Sequence, residues 1–168
     1  LNLLDGRIQL NRKRYPEAQE LLEKNLIIFQ QDLPFTYLRS QSLMLLARVY
    51  AEIGRFDEAR PRFNEAIELV ENDDEYLASE KLRLAFDDER RELYDSAIAF
   101  EYDHGSHEAA WTYLQKYRAK LFLEFLTQFD PGIELLRGRA LERPAVQRAA
   151  GKEIQIVEYA LLKGRLLI

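Results

Sequence analysis

The amino-acid sequence predicts a mainly α-helical protein, a right-handed solenoid of about three long helix pairs with a β-hairpin at its C-terminus. One pattern of small and aromatic residues occurs three times along the chain. Glycine and proline are few, at 7 and 5 of 168 residues, and the apolar periodicity changes only after Gly151. Recurrence at such intervals is typical of stacked helical repeats, in which each unit buries its apolar face against the next.

The repeated pattern is clearest between Gly54 and Leu69, in GRFDEARPRFNEAIEL. A glycine ends one helix, an aromatic residue follows two positions later, and alanines alternate with aromatics at helical spacing after it. The corresponding alanines of the three copies are Ala18, Ala59 and Ala110, which lie 41 and then 51 residues apart (59 − 18 and 110 − 59). Small residues opposite large ones allow antiparallel helices to pack closely, so each copy predicts a helix pair.

Glycine, proline and aspartate predict where individual helices begin and end. We expect Gly54 and Gly105 to close first helices, where a left-handed residue is commonly needed. Pro16 suits the first turn of a helix, because its missing N–H leaves no bond unmade there. Asp57 is the expected N-cap of the second helix of copy two, which would place Pro61 at the fourth helical position.

Composition excludes several classes of protein. Hydrophobic residues make up 47% and charged residues 32%, which is too apolar for a disordered chain. A net charge of −5 excludes a broad basic surface, so we expect no nucleic-acid partner. The longest apolar runs fall far short of the roughly 20 residues that a membrane span needs, so we expect no membrane partner. The chain has no cysteine, which excludes a thiol nucleophile and is compatible with the cytoplasmic location that we expect.

The last residues change from a helical to a strand-like pattern. The segment EIQIVEYALLKGRLLI alternates and then runs apolar, and Lys163–Gly164 is a two-residue turn signal, so we expect a β-hairpin beginning at Ile154. An apolar hairpin with open edges favours association over isolation in water. We therefore expect it either to fold back on residues 122–129 or to self-associate with another copy. The chain opens in mid-pattern at Leu1, as a fragment of a longer protein would.

The segment from Gly54 to Ala66 reads G-x-F-x-x-A-x-x-x-F-x-x-A and resembles the tetratricopeptide repeat. The other copies depart from the motif, since Asn25 and Tyr117 replace the last alanine and His107 replaces the turn aromatic. The resemblance implies a tetratricopeptide-like α-solenoid that binds a protein or peptide partner.

Residues 87–126 resemble the last repeat that precedes a CHAT domain, a caspase-like peptidase domain, and residues 145–168 are similar to the beginning of that domain. The resemblance implies helical repeats over 1–129, a helical linker over 130–150 and the truncated start of the CHAT-like domain over 151–168. The catalytic histidine and cysteine motifs of that family are absent from this chain. We therefore expect a non-catalytic regulatory segment without a cofactor, whose partners include its own downstream peptidase domain. The alternative is a structural assembly scaffold in an unrelated repeat protein.

Ligand contacts in tetratricopeptide repeats fall mainly on first-helix positions of the concave face. Arg7 and Arg48 share one repeat position, so they either hold a carboxylate or acidic peptide jointly or pair with nearby acids of the chain. Neither matches the Lys/Asn clamp of chaperone-binding members. The candidate partner-binding residues, carried over position by position, are Arg7, Asn11, Gln41, Met44, Arg48, Glu52, Glu92, Asp95 and Tyr102.

The sequence gives weaker evidence for catalytic residues and for a metal site than for a binding surface. His104 and His107 stand in an H-G-S-H sequence beside Asp103, but Gly105 interrupts the helix that would align them and no third ligand has suitable spacing. A helix-end turn is the favoured interpretation, and we predict neither a metal site nor a catalytic residue. The rival hypothesis of a small hydrolase that uses acidic residues has no coherent constellation of His and acids behind it.

Overall fold

A computed structural model describes residues 2–29, 36–72, 80–127, 144, 147–148, 157–162 and 164–167. For residues 80–87, 120 and 122–127 the description is limited to the helical backbone. The helices and strands are α1 (Asn2–Asn11), α2 (Tyr15–Phe29), α3 (Thr36–Glu52), α4 (Phe56–Asn72), α5 (Glu80–His104), α6 (His107–Thr127), β1 (Ala160–Leu162) and β2 (Arg165–Leu167). The predicted fold class is confirmed, with helices in repeat-like pairs and a small antiparallel hairpin near the C-terminus.

The chain divides into two compact units, residues 1–96 and 97–168. In the first unit each helix packs on the next along the chain: α1 on α2, α2 on α3 and α3 on α4. Helix α1 also contacts α3, so the first helices of neighbouring pairs lie side by side. This is the packing order of stacked helix hairpins, in which every pair contacts only its neighbours.

The repeated alanines and aromatics form the core of the first unit. Ala18, Ala59 and Ala66 are fully buried, and Phe63 and Leu22 are buried with them. A glycine allows the closest approach in the first pair, because a Cβ added to Gly6 would lie 2.8 Å from Cδ2 of Leu22. The small residues of the pattern therefore set the distance between paired helices, as the sequence predicts.

The end of α3 at Gly54 is as predicted. Gly54 has φ 78°, its N–H donates to the carbonyl of Ala51, and the N–H of Arg55 donates to the carbonyl of Tyr50 at 2.8 Å. These two bonds form a Schellman motif, which satisfies the last carbonyls of the helix. The end of α1 has the same bonding pattern with Lys13 in the left-handed position, at φ 59°.

Helix α5 ends at His104, directly before Gly105, as predicted, but Gly105 does not adopt a positive φ and its N–H makes an ordinary helical bond to the carbonyl of Glu101 at 3.0 Å. The prediction for the start of α4 is wrong. Helix α4 begins at Phe56, and the N-cap is Arg55, whose carbonyl accepts from the N–H groups of residues 58 and 59. Asp57 instead lies within the first turn, where an acid favours the helix dipole, and Pro61 is the sixth residue of the helix.

The junction of α5 and α6 lies in the second unit and is capped by Ser106. The Ser106 hydroxyl accepts from the N–H groups of Glu108 at 3.2 Å and Ala109 at 3.4 Å. The N–H of Ser106 donates to the carboxylate of Glu101, a side chain that is only 1% exposed. A serine N-cap satisfies the first N–H groups of α6 and supplies the start signal for that helix.

The hairpin of the second unit pairs Ala160 with Leu167, Leu161 with Leu166 and Leu162 with Arg165. Gly164 has φ 85°, as the predicted turn at residues 163–164 requires. The strand is shorter than predicted, because residues 157–159 are not in a strand and the expected start at Ile154 lies outside the described residues.

Candidate interaction surface

Three charged side chains from three successive first helices meet in the first unit. Arg7 lies on α1, Arg48 on α3 and Glu92 on α5. Nη2 of Arg7 donates to Oε2 of Glu92 at 3.0 Å, and Nη1 of Arg48 donates to Oε1 of the same carboxylate at 3.0 Å. Nη2 of Arg7 also donates to Oε1 of Gln41 at 2.9 Å. We call these four residues the arginine–glutamate cluster.

Helix periodicity brings the cluster together. Gln41 and Arg48 are seven residues apart, about two turns, so they lie on one face of α3. Arg7 and Arg48 are 41 residues apart, the same interval that separates Ala18 from Ala59. The repeat therefore places both arginines at equivalent points of adjacent helices, and α5 supplies the acid between them.

Solvent reaches the charged members of the cluster. The side chains of Arg7, Arg48 and Glu92 are each 35% exposed, whereas Gln41 is only 4% exposed. Ion pairs at such exposure are screened by water and contribute on the order of 0–1 kcal/mol each. The packing of the helices therefore places these side chains together, and the ion pairs between them are weak enough to be replaced by contacts with another molecule.

A second acid lies beside the cluster, at Glu89. Burial raises the pKa of Glu89, the positive charge of Arg7 lowers it, and the negative charge of Glu92 raises it. When both acids are ionised, their two negative charges therefore offset the two positive charges of the arginines. A surface so balanced has no general attraction for anions or for cations.

Each of the two guanidinium groups has N–H donors that bond to none of the described residues. Each arginine has five N–H donors in a planar fork. Within the part of the chain that the structure describes, Arg7 bonds only through Nη2 and Arg48 only through Nη1. The remaining N–H groups can bind further carboxylate oxygens, which is the chemistry for which paired arginines are suited.

The other candidate residues lie apart from the cluster. Met44 is fully buried in the core and cannot contact a partner. Asn11 is exposed at the end of α1, and Glu52 is exposed near the end of α3, where its carboxylate accepts from the Tyr15 hydroxyl at 3.1 Å. Asp95 on α5 lies 3.8 Å from Nε of Arg91, and burial raises its pKa while Arg91 lowers it. Of the nine candidates, four meet in one cluster.

Tyr102 belongs to the second unit, where its ring stacks on that of His107 with centroids 4.7 Å apart. The ring of His104 contacts Phe100 in the same turn. Among the described residues no three His, Asp or Glu side chains converge as metal ligands would. The H-G-S-H sequence is thus a helix-end turn in which His107 occupies an aromatic position.

Glu158 is an anchor that the sequence reasoning missed. Its carboxylate accepts from Nε1 of Trp111, from Nε2 of Gln115 at 2.7 Å and from Nη1 of Arg118 at 3.3 Å. Nη2 of Arg118 also donates to the carbonyl of Tyr159. The three donors are spaced i, i+4 and i+7 on α6, so a polar stripe in an apolar helix was the signal that could have revealed the anchor.

Arg165 is the second anchor of the hairpin. Its two terminal nitrogens each donate to one carboxylate oxygen of Asp103 at 2.8 Å, and this bidentate contact lowers the pKa of Asp103. The predicted fold-back of the hairpin on the last helices is therefore confirmed, at Asp103 of α5 and at the three donors of α6 that bind Glu158. The part of the prediction that names residues 122–129 is not tested. The side chains of residues 122–129 lie outside the described part of the chain.

The outward face of the hairpin segment is apolar. Ala160, Leu162 and Leu167 point inward and are buried. The alternate side chains Val157, Tyr159, Leu161 and Leu166 are 72%, 63%, 68% and 55% exposed. A hairpin with two apolar faces is unusual, because antiparallel sheets normally turn one polar face to water.

Comparison with known proteins agrees with the fold of the first unit. Within the described helices none is long and apolar enough to cross a membrane. No curated protein and no solved structure shows a significant match to the chain. Tetratricopeptide repeats generally mediate protein–protein interaction. Residues 6–72, which cover the helix pairs α1–α2 and α3–α4, match the family model of the tetratricopeptide repeat.

Proposed function

We propose that this chain is a protein–protein interaction scaffold that forms the non-catalytic regulatory repeat region of a CHAT-type peptidase protein. The match of residues 6–72 to the tetratricopeptide repeat carries the first part of this proposal. Its partner is a protein or peptide, bound without cofactor or metal, in the cytoplasm. The proposed contact residues are the candidates that remain accessible, namely Arg7, Asn11, Arg48, Glu52, Glu92, Asp95 and Tyr102. Gln41, which is buried, takes part by accepting the hydrogen bond of Arg7.

The peptidase context rests on the resemblance of residues 87–126 and 145–168 to the end of a repeat array and the start of a CHAT domain. The two anchors of the hairpin support it, because Glu158 and Arg165 tie the proposed first strands of that domain to the last helix pair. Helix α5 contributes residues to both compact units. A partner bound to the first helices would thus act on the catalytic domain through α5 and the anchored strands.

The alternative is a structural assembly scaffold of an unrelated helical repeat protein. One observation favours it: Ile27 and Ile28, adjacent on α2, are 62% and 54% exposed. Exposed apolar side chains that lie together are typical of a surface that contacts another protein. This alternative keeps the interaction role and removes the peptidase.

The coding sequence beyond Ile168 tests the peptidase context. We expect a histidine and a cysteine, each at the end of a predicted strand in an α/β sheet. A downstream sequence without that pair removes the peptidase link and leaves the assembly scaffold.

Affinity capture tests the interaction role. The native chain is compared with a double variant, Arg7→Ala with Arg48→Ala, whose helical content is checked by circular dichroism. We expect a protein retained by the native chain to be lost from the folded variant. Equal retention by both would place the partner site elsewhere.

A further inference from the structure

The arginine–glutamate cluster has the geometry of a carboxylate site that already holds a ligand. Both oxygens of the Glu92 carboxylate accept a hydrogen bond at 3.0 Å, each from a different arginine. The arginines belong to α1 and α3, and the acid belongs to α5. A carboxylate arriving from another molecule would meet the same two guanidinium groups, so Glu92 stands where such a group would bind.

We infer that Arg7 and Arg48 form a binding site for the carboxylates of an acidic peptide, and that Glu92 occupies this site until such a peptide displaces it. The inference rests on the proposed interaction role and names the chemistry of the partner. Glu92 would then compete with the peptide for the two arginines, and it would also link α5 to α1 and α3.

Exposure distinguishes Glu92 from a carboxylate that is only structural. Glu101 is buried, at 1% exposure, and accepts from the main-chain N–H of Ser106, the N-cap residue of α6. Glu92 is 35% exposed, and its partners among the described residues are the two arginine side chains. Displacing Glu92 leaves no main-chain group unsatisfied, and water can solvate the released carboxylate.

Charge explains why the native cluster is selective. With Glu92 and Glu89 beside them, Arg7 and Arg48 are neutralised, so a single anion gains little by approaching. An acidic peptide carries several carboxylates, and the unused N–H groups of both guanidiniums can take a second oxygen pair while Glu92 leaves. Neutralising Glu92 alone would convert the balanced cluster into a net positive site.

The test measures binding of a fluorescent peptide of four glutamates to the native chain and to Glu92→Gln, by fluorescence anisotropy at low salt. If Glu92 occupies the site most of the time, its removal should tighten binding about tenfold or more, because the competent fraction rises accordingly. Adding Arg7→Gln or Arg48→Gln to the Glu92→Gln chain should abolish that gain. A peptide of four glutamines should bind none of the variants.

Asp88→Asn is the matched control. It removes one negative charge from the same helix, one turn from Glu92, at an exposed residue outside the proposed contact set. Equal tightening by Asp88→Asn and Glu92→Gln would show a general charge effect and overturn the inference. A gain that survives the loss of Arg7 and Arg48 would overturn it too.

Glu92→Asp covers the case in which Glu92→Gln does not fold, which circular dichroism decides. The shorter side chain keeps the charge but cannot reach both arginines equally, so an intermediate tightening is expected, and none would contradict the inference. These outcomes are separate from the proposed function. A partner captured through Arg7 and Arg48 with no effect of Glu92 would leave the scaffold role intact and remove only the internal competitor.

Discussion

Lys13 ends α1 in a left-handed conformation that side chains with a Cβ adopt at a cost. Its φ is 59°, and the bonds around it are those that Gly54 makes at the end of α3. We expect Lys13→Gly to stabilise the chain by about 0.5–1 kcal/mol, because relief of strain outweighs the added freedom of the unfolded chain. Urea unfolding followed by circular dichroism measures the change.

Gly54→Ala is the reciprocal control. A Cβ at Gly54 would meet nothing within 4 Å, so its effect reports backbone strain alone. A loss of about 1 kcal/mol is expected. If Lys13→Gly destabilised the chain while Gly54→Ala behaved as expected, the cost assigned to Lys13 would be wrong.

Gly6 tests the contact between the first two helices. In a free helix alanine is favoured over glycine by about 1 kcal/mol. Here the new Cβ would lie 2.9 Å from Cγ of Leu22, a side chain with no exposed surface. We therefore expect Gly6→Ala to destabilise the chain by about 1–3 kcal/mol in urea unfolding, the usual cost of overpacking.

The double variant Gly6→Ala with Leu22→Ala separates sterics from propensity. Truncating Leu22 removes the atoms that the new methyl group would meet. The Gly6→Ala change should then be neutral or stabilising in the Leu22→Ala background. An equal loss in both backgrounds would mean that the contact with Leu22 does not explain the glycine.

At the scale of the elements, the repeat pattern predicted the helix pairs because it records packing within each pair. Gly54 could be placed from sequence, since its left-handed turn is local chemistry. Lys13 could not, because its residue type does not favour that conformation and the surrounding helices impose it. Asp57 misled for the converse reason, because α4 begins one residue before it and Arg55 takes the N-cap position that was assigned to Asp57.

The candidate site was predictable only in part. The interval of 41 residues places Arg7 and Arg48 at equivalent positions, and of the two alternatives that the sequence left open the structure shows the pairing with an acid of the chain. That the carboxylate belongs to Glu92, 85 residues from Arg7, depends on how α5 packs. Long-range placement of that kind has no local signal. The burial of Met44 has the same origin, because α3 is enclosed by α1, α2 and α4.

The attachment of the hairpin should depend on pH through Asp103. The bidentate contact with Arg165 holds the pKa of Asp103 below its ordinary value of 3.8. Because the pKa of Asp103 is lower in the folded chain than in the unfolded chain, the ion pair contributes its full stabilisation at any pH above the unfolded-state pKa. This stabilisation is lost as the pH falls through the lower, folded-state pKa. We expect the hairpin to stay attached at neutral pH and to detach only in strong acid.

Trp111 gives the readout for attachment, because it is the single tryptophan and donates to Glu158 of the hairpin segment. Its fluorescence followed against pH should change at low pH in the native chain. In Arg165→Gln that change should shift to higher pH, since Asp103 then titrates nearer its ordinary value. Coincident profiles for the two chains would show that the Asp103–Arg165 pair does not hold the hairpin.

At the scale of the whole molecule, the sequence presented two alternatives for the hairpin, folding back on the last helices or associating with another copy, and the hairpin has a separate face for each. Its inner face is used within the chain, through Glu158 and Arg165. Its outer face, with Leu161 opposite Leu166 across the strand pair, stays open to solvent. Stable interfaces bury about 800 Å² from each partner, which is more than four side chains of one short hairpin supply. Any self-association through this face is therefore weak.

We predict that the native chain associates reversibly at high concentration and that Leu161→Lys combined with Leu166→Glu abolishes the effect. The two new side chains lie directly opposite each other, so they can form a cross-strand ion pair that preserves the hairpin while making its outer face polar. Light scattering should show a mean mass that rises above 19.8 kDa with concentration for the native chain and stays at that value for the variant. An unchanged Trp111 spectrum would confirm that the hairpin remains attached in the variant. If the native chain keeps the mass of a monomer at every concentration, the outer face is not a contact between copies, and the apolar residues there require a different molecule to cover them.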